Sequence, residues 1–168
     1  MRYFFILAVA AELLEMLPRY GTPPQGRRAA SLATDSENNK IYILGGLESQ
    51  DQWFSDIWQF DLSAKEWKEL RAINVGPGMI YIGAFHSAIA FLSSSVLYLY
   101  GGITPDGPSS SLWKFDLKSF RWSLVSFDGI KPGMLIKSCT SSFKYDNITY
   151  LSVYGQNQTD TSLGYLYL

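Results

Sequence analysis

The chain has 168 residues, of which 47% are hydrophobic, 15% aromatic and 17% charged. That composition can build a core and excludes intrinsic disorder, and the length suits one domain or part of a larger one. A formal net charge of −1, with no basic run beyond Arg27–Arg28, gives no nucleic-acid footprint.

A single cysteine, Cys139, rules out a disulfide framework or a cysteine zinc site within the chain. With His86 as its only histidine, it offers almost nothing for a histidine metal centre. No metal or cofactor is therefore expected. No run of 18 continuous apolar residues occurs, so no membrane span is expected.

The N-terminal stretch "MRYFFILAVAAELLEML" places an apolar run, Tyr3 to Ala11, behind Arg2 and includes the small-x-small triplet Ala8-Val9-Ala10. These features resemble a short secretory signal. Two glycosylation acceptor triplets occur further on, Asn147-Ile148-Thr149 and Asn157-Gln158-Thr159. The expected compartment is the cytoplasm, with secretion as the alternative that these features raise.

From residue 27 onward the chain repeats itself. "IYILGGLESQDQWFSDIWQFDLSAKEWKEL" (41–70) and "LYLYGGITPDGPSSSLWKFDLKSFRWSLV" (97–125) share a β run, a glycine pair, a polar loop, an aromatic-Asp strand, a short turn and a tryptophan. Gly45 to Gly101 is 56 residues, and Trp67 to Trp122 is 55. Several matched features at one period point to a repeat architecture. A third, decayed copy reads "ITYLSVYGQ" (148–156), with Gly155 kept and Gln156 in place of the second glycine. "SLGYLYL" (162–168) then aligns with "SLWKFDL", which sets Gly164 on Trp113.

Ahead of each β run lies another short strand: within 27–40, 83–96 and 137–148. Polar turns at Asp35–Asn39, Ser93–Ser95 and Tyr145–Asn147 close these hairpins. Each repeat thus holds four short strands, a to d, of ordinary length. Sliding "FFILAVAAELLEML" under "IWQFDLSAKEWKEL" sets Phe5 on Trp58, Leu7 on Phe60, Leu14 on Trp67 and Leu17 on Leu70. Residues 3–17 therefore carry a second reading, as strands c and d of an earlier, degenerate repeat.

Strand, Gly-Gly, loop, aromatic-Asp and tryptophan at a period near 50 resemble the kelch repeat. The resemblance covers roughly residues 12–168 and implies a β-propeller in which each repeat is one four-stranded blade. The expected fold is all-β: about three antiparallel four-stranded blades in an incomplete ring. Residues 1–22 are degenerate outer strands of a preceding blade or a short signal-like segment. Residues 23–78 are repeat 1, 79–134 repeat 2 and 135–168 a partial, degenerate repeat 3.

Glycines at the end of strand b permit close backbone approach and a sharp exit, the role expected of Gly45, Gly46, Gly101, Gly102 and Gly155. Phe60, Phe115, Trp67 and Trp122 supply apolar area between blades. Trp58 and Trp113, two residues from the Phe positions, share their sheet face. Asp61 and Asp116 precede the c–d turns and are expected to bond local backbone amides. Cys139 reads as a small buried residue.

Strand alternation puts the a–b and c–d turns on one face of the disc and the b–c and d–a loops on the other. The first set is short (35–39, 63–66, 93–95, 118–121); the second is long (47–55, 71–82, 103–111, 126–136, 156–161). Binding function concentrates on such loops over a rigid scaffold, and the resemblance implies a protein or peptide partner there. The candidate ligand-binding residues are Trp53 and Asp51 in the first b–c loop, Arg27 beside the first strand a, Asp106 in "TPDGP", and Asn157 and Asp160 in the third loop. Each has a plainer reading: Trp53 as the start of strand c, Asp106 as a turn residue, Arg27 as half of a solvated surface pair.

The expected function is a protein-interaction module rather than an enzyme, with no catalytic residues. The alternative is a fragment of a secreted kelch-type enzyme, carbohydrate-active or galactose-oxidase-like. With about three blades, the arc is expected to belong to a longer chain or to a homo-oligomer.

Overall fold

The computed structural model describes residues 20–49, 52–73, 88–93, 95–104, 106–126, 133–157 and 164–167. Among them all regular structure is β, and every strand pair is antiparallel. The first sheet holds β1 (Ser31–Asp35), β2 (Lys40–Leu47), β3 (Trp53–Asp61) and β4 (Glu66–Leu70) in sequence order. The second holds β5 (Ala88–Ser93), β6 (Val96–Tyr100), β9 (Leu112–Asp116) and β10 (Arg121–Leu124) in the same order. Between β6 and β9 the chain folds a separate hairpin, β7 (Ile103–Thr104) and β8 (Gly107–Pro108). The third sheet has β11 (Leu135–Tyr145), β12 (Ile148–Asn157) and β13 (Gly164–Tyr167).

The sheets stack face to face, and the sequence alternation dictates which residues meet. In the first sheet Ala33, Tyr42, Leu44, Ile57 and Leu70 share one face and are buried. They form one cluster with Leu97, Leu99, Phe115 and Trp122 of the second sheet. Each fully buried aliphatic or aromatic side chain contributes roughly 1.5–3 kcal/mol, so this interface dominates the packing energy. The opposite face of the second sheet supplies Tyr100 and Leu112, which pack on Leu135, Leu151 and Val153 of the third. Tyr100 Oη also donates to Gly133 O at 3.0 Å, tying the second blade to the approach of the third.

The hairpin turns follow from local chemistry. Asp61 Oδ1 accepts from Ser63 N and Ala64 N, both at 2.9 Å; Asp116 Oδ1 accepts from Lys118 N at 2.8 Å and Ser119 N at 2.7 Å. These are the backbone bonds expected of the two aspartates. Each turn ends on a left-handed residue, Lys65 at φ 58° and Phe120 at φ 54°. The β11–β12 turn has both central residues left-handed, Asp146 at 49° and Asn147 at 60°, as a tight two-residue hairpin turn requires.

The glycine pairs are left-handed, with φ of 63° and 100° at Gly45 and Gly46 and 68° and 94° at Gly101 and Gly102. They also allow close approach. A Cβ on Gly46 would stand 2.9 Å from Arg28 O, and one on Gly101 3.1 Å from Leu135 O of the next blade. The first pair does not end its strand: it forms a bulge inside β2, after which Gly46 pairs with Phe54 and Leu47 with Trp53. The first b–c loop is therefore 48–52, shorter than the expected 47–55, and Trp53 and Phe54 belong to β3.

Two further expectations are corrected. Gly155 keeps the close approach, since a Cβ there would stand 2.8 Å from Ser138 Cβ, but it is not left-handed, so β12 runs past it to Asn157 without the corner seen at Gly101. Consequently Gln156 pairs with Gly164 and Val153 with Tyr167, three residues away from the alignment of Gly164 with Trp113. Cys139 is exposed rather than buried. It lies opposite Tyr154, on the β11–β12 face that also carries exposed Phe143 and Tyr145 and is turned away from the second blade.

Candidate functional site

Within each sheet the antiparallel order puts the b–c and d–a connections at one edge and the a–b and c–d turns at the other. The turn edge carries short connections: 36–39, 62–65 and 117–120 span four residues each, and 146–147 spans two. On the loop edge the b–c connections of the first two blades differ among the described residues, which makes this edge the candidate binding face.

One part of it is built around Arg27. The approach to β1 is held by an isolated pairing of Arg28 with Leu47, through bonds of 2.9 and 3.0 Å. That pairing aims Arg27 at the b–c corner. Its guanidinium grips Asp56 in bidentate fashion, with Nη1 on Oδ1 and Nη2 on Oδ2, the latter at 2.9 Å. Nη1 also donates to Gly45 O at 3.0 Å and Nε to Gln25 O at 3.1 Å, while the guanidinium carbon lies 4.1 Å from the Phe54 ring centroid. Trp58 Nε1 adds a third donor to the Asp56 carboxylate, at 2.6 Å. Planar, forked guanidinium geometry suits this combination of carboxylate and ring.

Arg27 thus meets a carboxylate of its own chain, and its side chain is only 6% exposed. It is not half of a solvated pair. Sequence reasoning did not find this cluster. The spacing that builds it, an arginine three to four residues before strand a and an aspartate two residues before a strand-c tryptophan, is visible only once the register is known. By that register Ser111 stands where Asp56 does, since Trp58 faces Ile43 and Trp113 faces Leu99. The clamp therefore has no counterpart carboxylate in the second blade.

There the b–c connection is the β7–β8 hairpin instead. Asp106 is exposed at its tip, and its N–H donates to Thr104 Oγ1 at 3.2 Å. Thr104 Oγ1 in turn donates to Gly107 O at 3.0 Å. The hairpin is anchored below by Gly101 N to Ser111 O at 3.1 Å and Ser109 N to Gly102 O at 2.9 Å. Of the other candidates, Trp53 is half-buried as the first residue of β3, and Asn157 ends β12 opposite Leu135. Asp51 and Asp160 lie outside the described residues, as does His86. The structure therefore brings Arg27 and Trp53 to one blade corner and puts Asp106 on the next.

Two carboxylates on the turn edge are electrostatically perturbed. Asp61 is held below the usual aspartate value, first by the Lys40 ammonium, whose Nζ lies 2.7 Å from Oδ2, and then by the Ala64 amide. Asp116 is lowered by the Ser119 and Lys118 amides. Both act as turn staples. Among the described residues no cluster of three His, Cys, Asp or Glu side chains could hold a metal ion. No described helix is long and apolar enough to cross a membrane.

Comparison with known proteins matches this geometry. The family model of the KLHDC2/KLHL20/DRC7 Kelch-repeats domain matches residues 2–167. The chain is 31% identical over 123 residues to Kelch domain-containing protein 2 of Bos taurus, covering 72% of this chain and 29% of the relative. It is 30% identical over 98 residues to tRNA wybutosine-synthesizing protein 4 of Saccharomyces cerevisiae, covering 58% of this chain and 13% of that protein. The solved structure of YjhT superposes with a TM-score of 0.54 at 24% identity, over 85% of this chain and 37% of that one, a likeness of fold. The chain thus spans under a third of the curated relatives' length. Its three stacked antiparallel sheets are a partial propeller, and the chain belongs to the kelch-repeat family.

Proposed function

We propose that this chain is a protein-interaction module whose b–c and d–a connections present one face to a protein or peptide partner. Kelch repeats are commonly such modules, which sets the class. The observation that carries the finer reading is the contrast between the two edges of the blades. One edge is a row of short turns, three of them stapled by Asp35, Asp61 and Asp116. The other carries unlike connections: a clamped corner at Arg27–Asp56 and a projecting hairpin at 103–108. A rigid scaffold with variation confined to one edge is the usual design of a recognition surface.

Trp53, Asp106 and Asn157 are the proposed contact residues among those described, with Asp51 and Asp160 beside them in sequence. Arg27 supports the face from beneath by fixing the first b–c corner. Asp106 at the tip of the β7–β8 hairpin offers an exposed carboxylate to a basic or amide-rich segment of the partner.

The test is a binding assay on the protein against a displayed peptide library and a panel of folded proteins. Asp106→Lys and Trp53→Ala are expected to weaken any selected ligand at least tenfold, and Lys118→Glu on the turn edge to leave it unchanged. Selected ligands that ignore both loop-edge changes and lose affinity with Lys118→Glu would refute the assignment.

A further inference from the structure

We infer that the outward face of the third sheet is an interface between two copies of this chain, each using the same face. That face takes alternate residues of β11 from Cys139 to Tyr145 and of β12 from Ile148 to Tyr154. The opposite face holds Leu151 and Val153 against the second blade. The interface is a sheet face, not the loop edge, so it stands or falls separately from the partner proposed there.

The first observation is a repeated position. Leu44, Tyr100 and Tyr154 each stand one residue before the first strand-b glycine of their repeat. The first two are covered by the sheet that follows: Leu44 packs in one cluster with Leu97 and Phe115, and Tyr100 in another with Leu135 and Val153. They are 0 and 2% exposed, whereas Tyr154 is 51% exposed. Strand a repeats the contrast. Ser31, opposite Leu44, is 8% exposed, and Cys139, opposite Tyr154, is open to solvent. The register that twice receives a stacked sheet in this chain is thus open the third time.

The second observation is what the open face carries. Phe143, Tyr145, Ile148 and Tyr154 are four of the nine exposed large hydrophobic residues among those described, so exposure concentrates here. Phe143 stacks on Tyr150 across the ladder, with ring centroids 5.4 Å apart and an interplanar angle of 13°. None of the alternate positions on this face holds a charged residue. Aromatic enrichment with charge depletion is the composition of an interface core, and a contiguous apolar patch marks an interaction site. A face without charge meets an identical face without repulsion. It calls for another sheet face, at the roughly 10 Å spacing of stacked sheets. The far face of the first blade does not supply one, because Ile41, Ile43, Phe60 and Trp67 are already buried. A second copy therefore offers the same face, which closes a twofold dimer rather than a head-to-tail fibre. Seven residues of strand span only about 23 Å, so the dimer is concentration-dependent rather than obligate.

Sedimentation of the intact chain tests this, with its single thiol, Cys139, as a second probe. A monomer–dimer equilibrium is expected, and maleimide labelling of Cys139 is expected to slow at least fivefold where the dimer prevails. Tyr154→Lys is expected to weaken the dimer at least tenfold. Leu32→Lys, at an exposed position of the first blade, is expected to leave it unchanged. A chain that stays monomeric up to about 1 mM overturns the inference. So does a dimer in which Cys139 labels at the monomer rate, one that ignores Tyr154→Lys, or one that Leu32→Lys weakens equally. The thiol readout needs no substitution, so it decides even where a variant fails to fold.

Discussion

The ring of Phe60 lies 4.9 Å from that of Trp67 at an interplanar angle of 49°, and Phe115 repeats this on Trp122 at 5.0 Å and 50°. Each pair is directly opposed across strands c and d. Tilted aromatic pairs at this separation add about 0.5–1.5 kcal/mol beyond their area. Phe115→Ala and Trp122→Ala are each expected to destabilise the chain by about 3–5 kcal/mol. The combined variant should cost less than the sum, because the two rings share one contact. Urea unfolding of the single and double variants checks both points.

The Arg27–Asp56 clamp makes a second prediction. Removing Arg27 strips Asp56 of two of its three side-chain donors in a largely buried place. Arg27→Met is expected to cost about 1–3 kcal/mol, and Asp56→Asn a similar amount. A double-mutant cycle should return a coupling above about 1 kcal/mol; additivity would show that the pair is only a surface contact.

Glycine substitutions separate crowding from backbone strain. Gly46 and Gly107 are both left-handed, at φ 100° and 117°, but only Gly46 meets backbone within 3 Å of a built Cβ, while Gly107 has nothing within 4 Å. Gly107→Ala is expected to cost about 1–2 kcal/mol from strain alone, and Gly46→Ala distinctly more. In the opposite direction, Lys65→Gly should stabilise by about 0.5–1 kcal/mol by relieving a left-handed lysine at φ 58°. Denaturation midpoints at constant m-value give all three.

The perturbed groups set the pH limits. Asp61 and Asp116 are lowered from an ordinary 3.8, so the stability they contribute is present above that value and is lost as pH falls through their lower folded values. Tyr42 is raised to about 12, by burial first and by Asp35 and Asp61 next, so its contribution is whole below pH 10.0 and disappears as pH rises toward 12. Unfolding free energy measured against pH, with tyrosinate absorbance on the alkaline side, checks both limits. Asp61→Asn should flatten the acid side.

Much of the scaffold was legible because its signals are local and repeated. Gly-Gly, Phe-Asp and Trp at one period place the strands, and Asp61 and Asp116 announce their turns. The departures arise where register decides. Nothing in "LGGLESQDQWF" says that β2 continues past its glycines as a bulge, yet that places Trp53 in a strand. Loss of the left-handed corner at Gly155 likewise moves β13 by three residues. The Arg27–Asp56–Trp58 cluster joins positions 29 and 31 residues apart, which no short motif records. Cys139 appeared buried from its residue type, whereas alternation along β11 puts it on an outward face.

The most direct test of the recognition face uses a photo-crosslinking amino acid in the intact chain, placed at Asp106 on the loop edge or at Lys118 on the turn edge, in the cells that express it. The predicted result is a discrete protein adduct from position 106 that competes with the unlabelled chain, and none from position 118. Adducts from position 118 with none from 106 would contradict the assignment of the binding face.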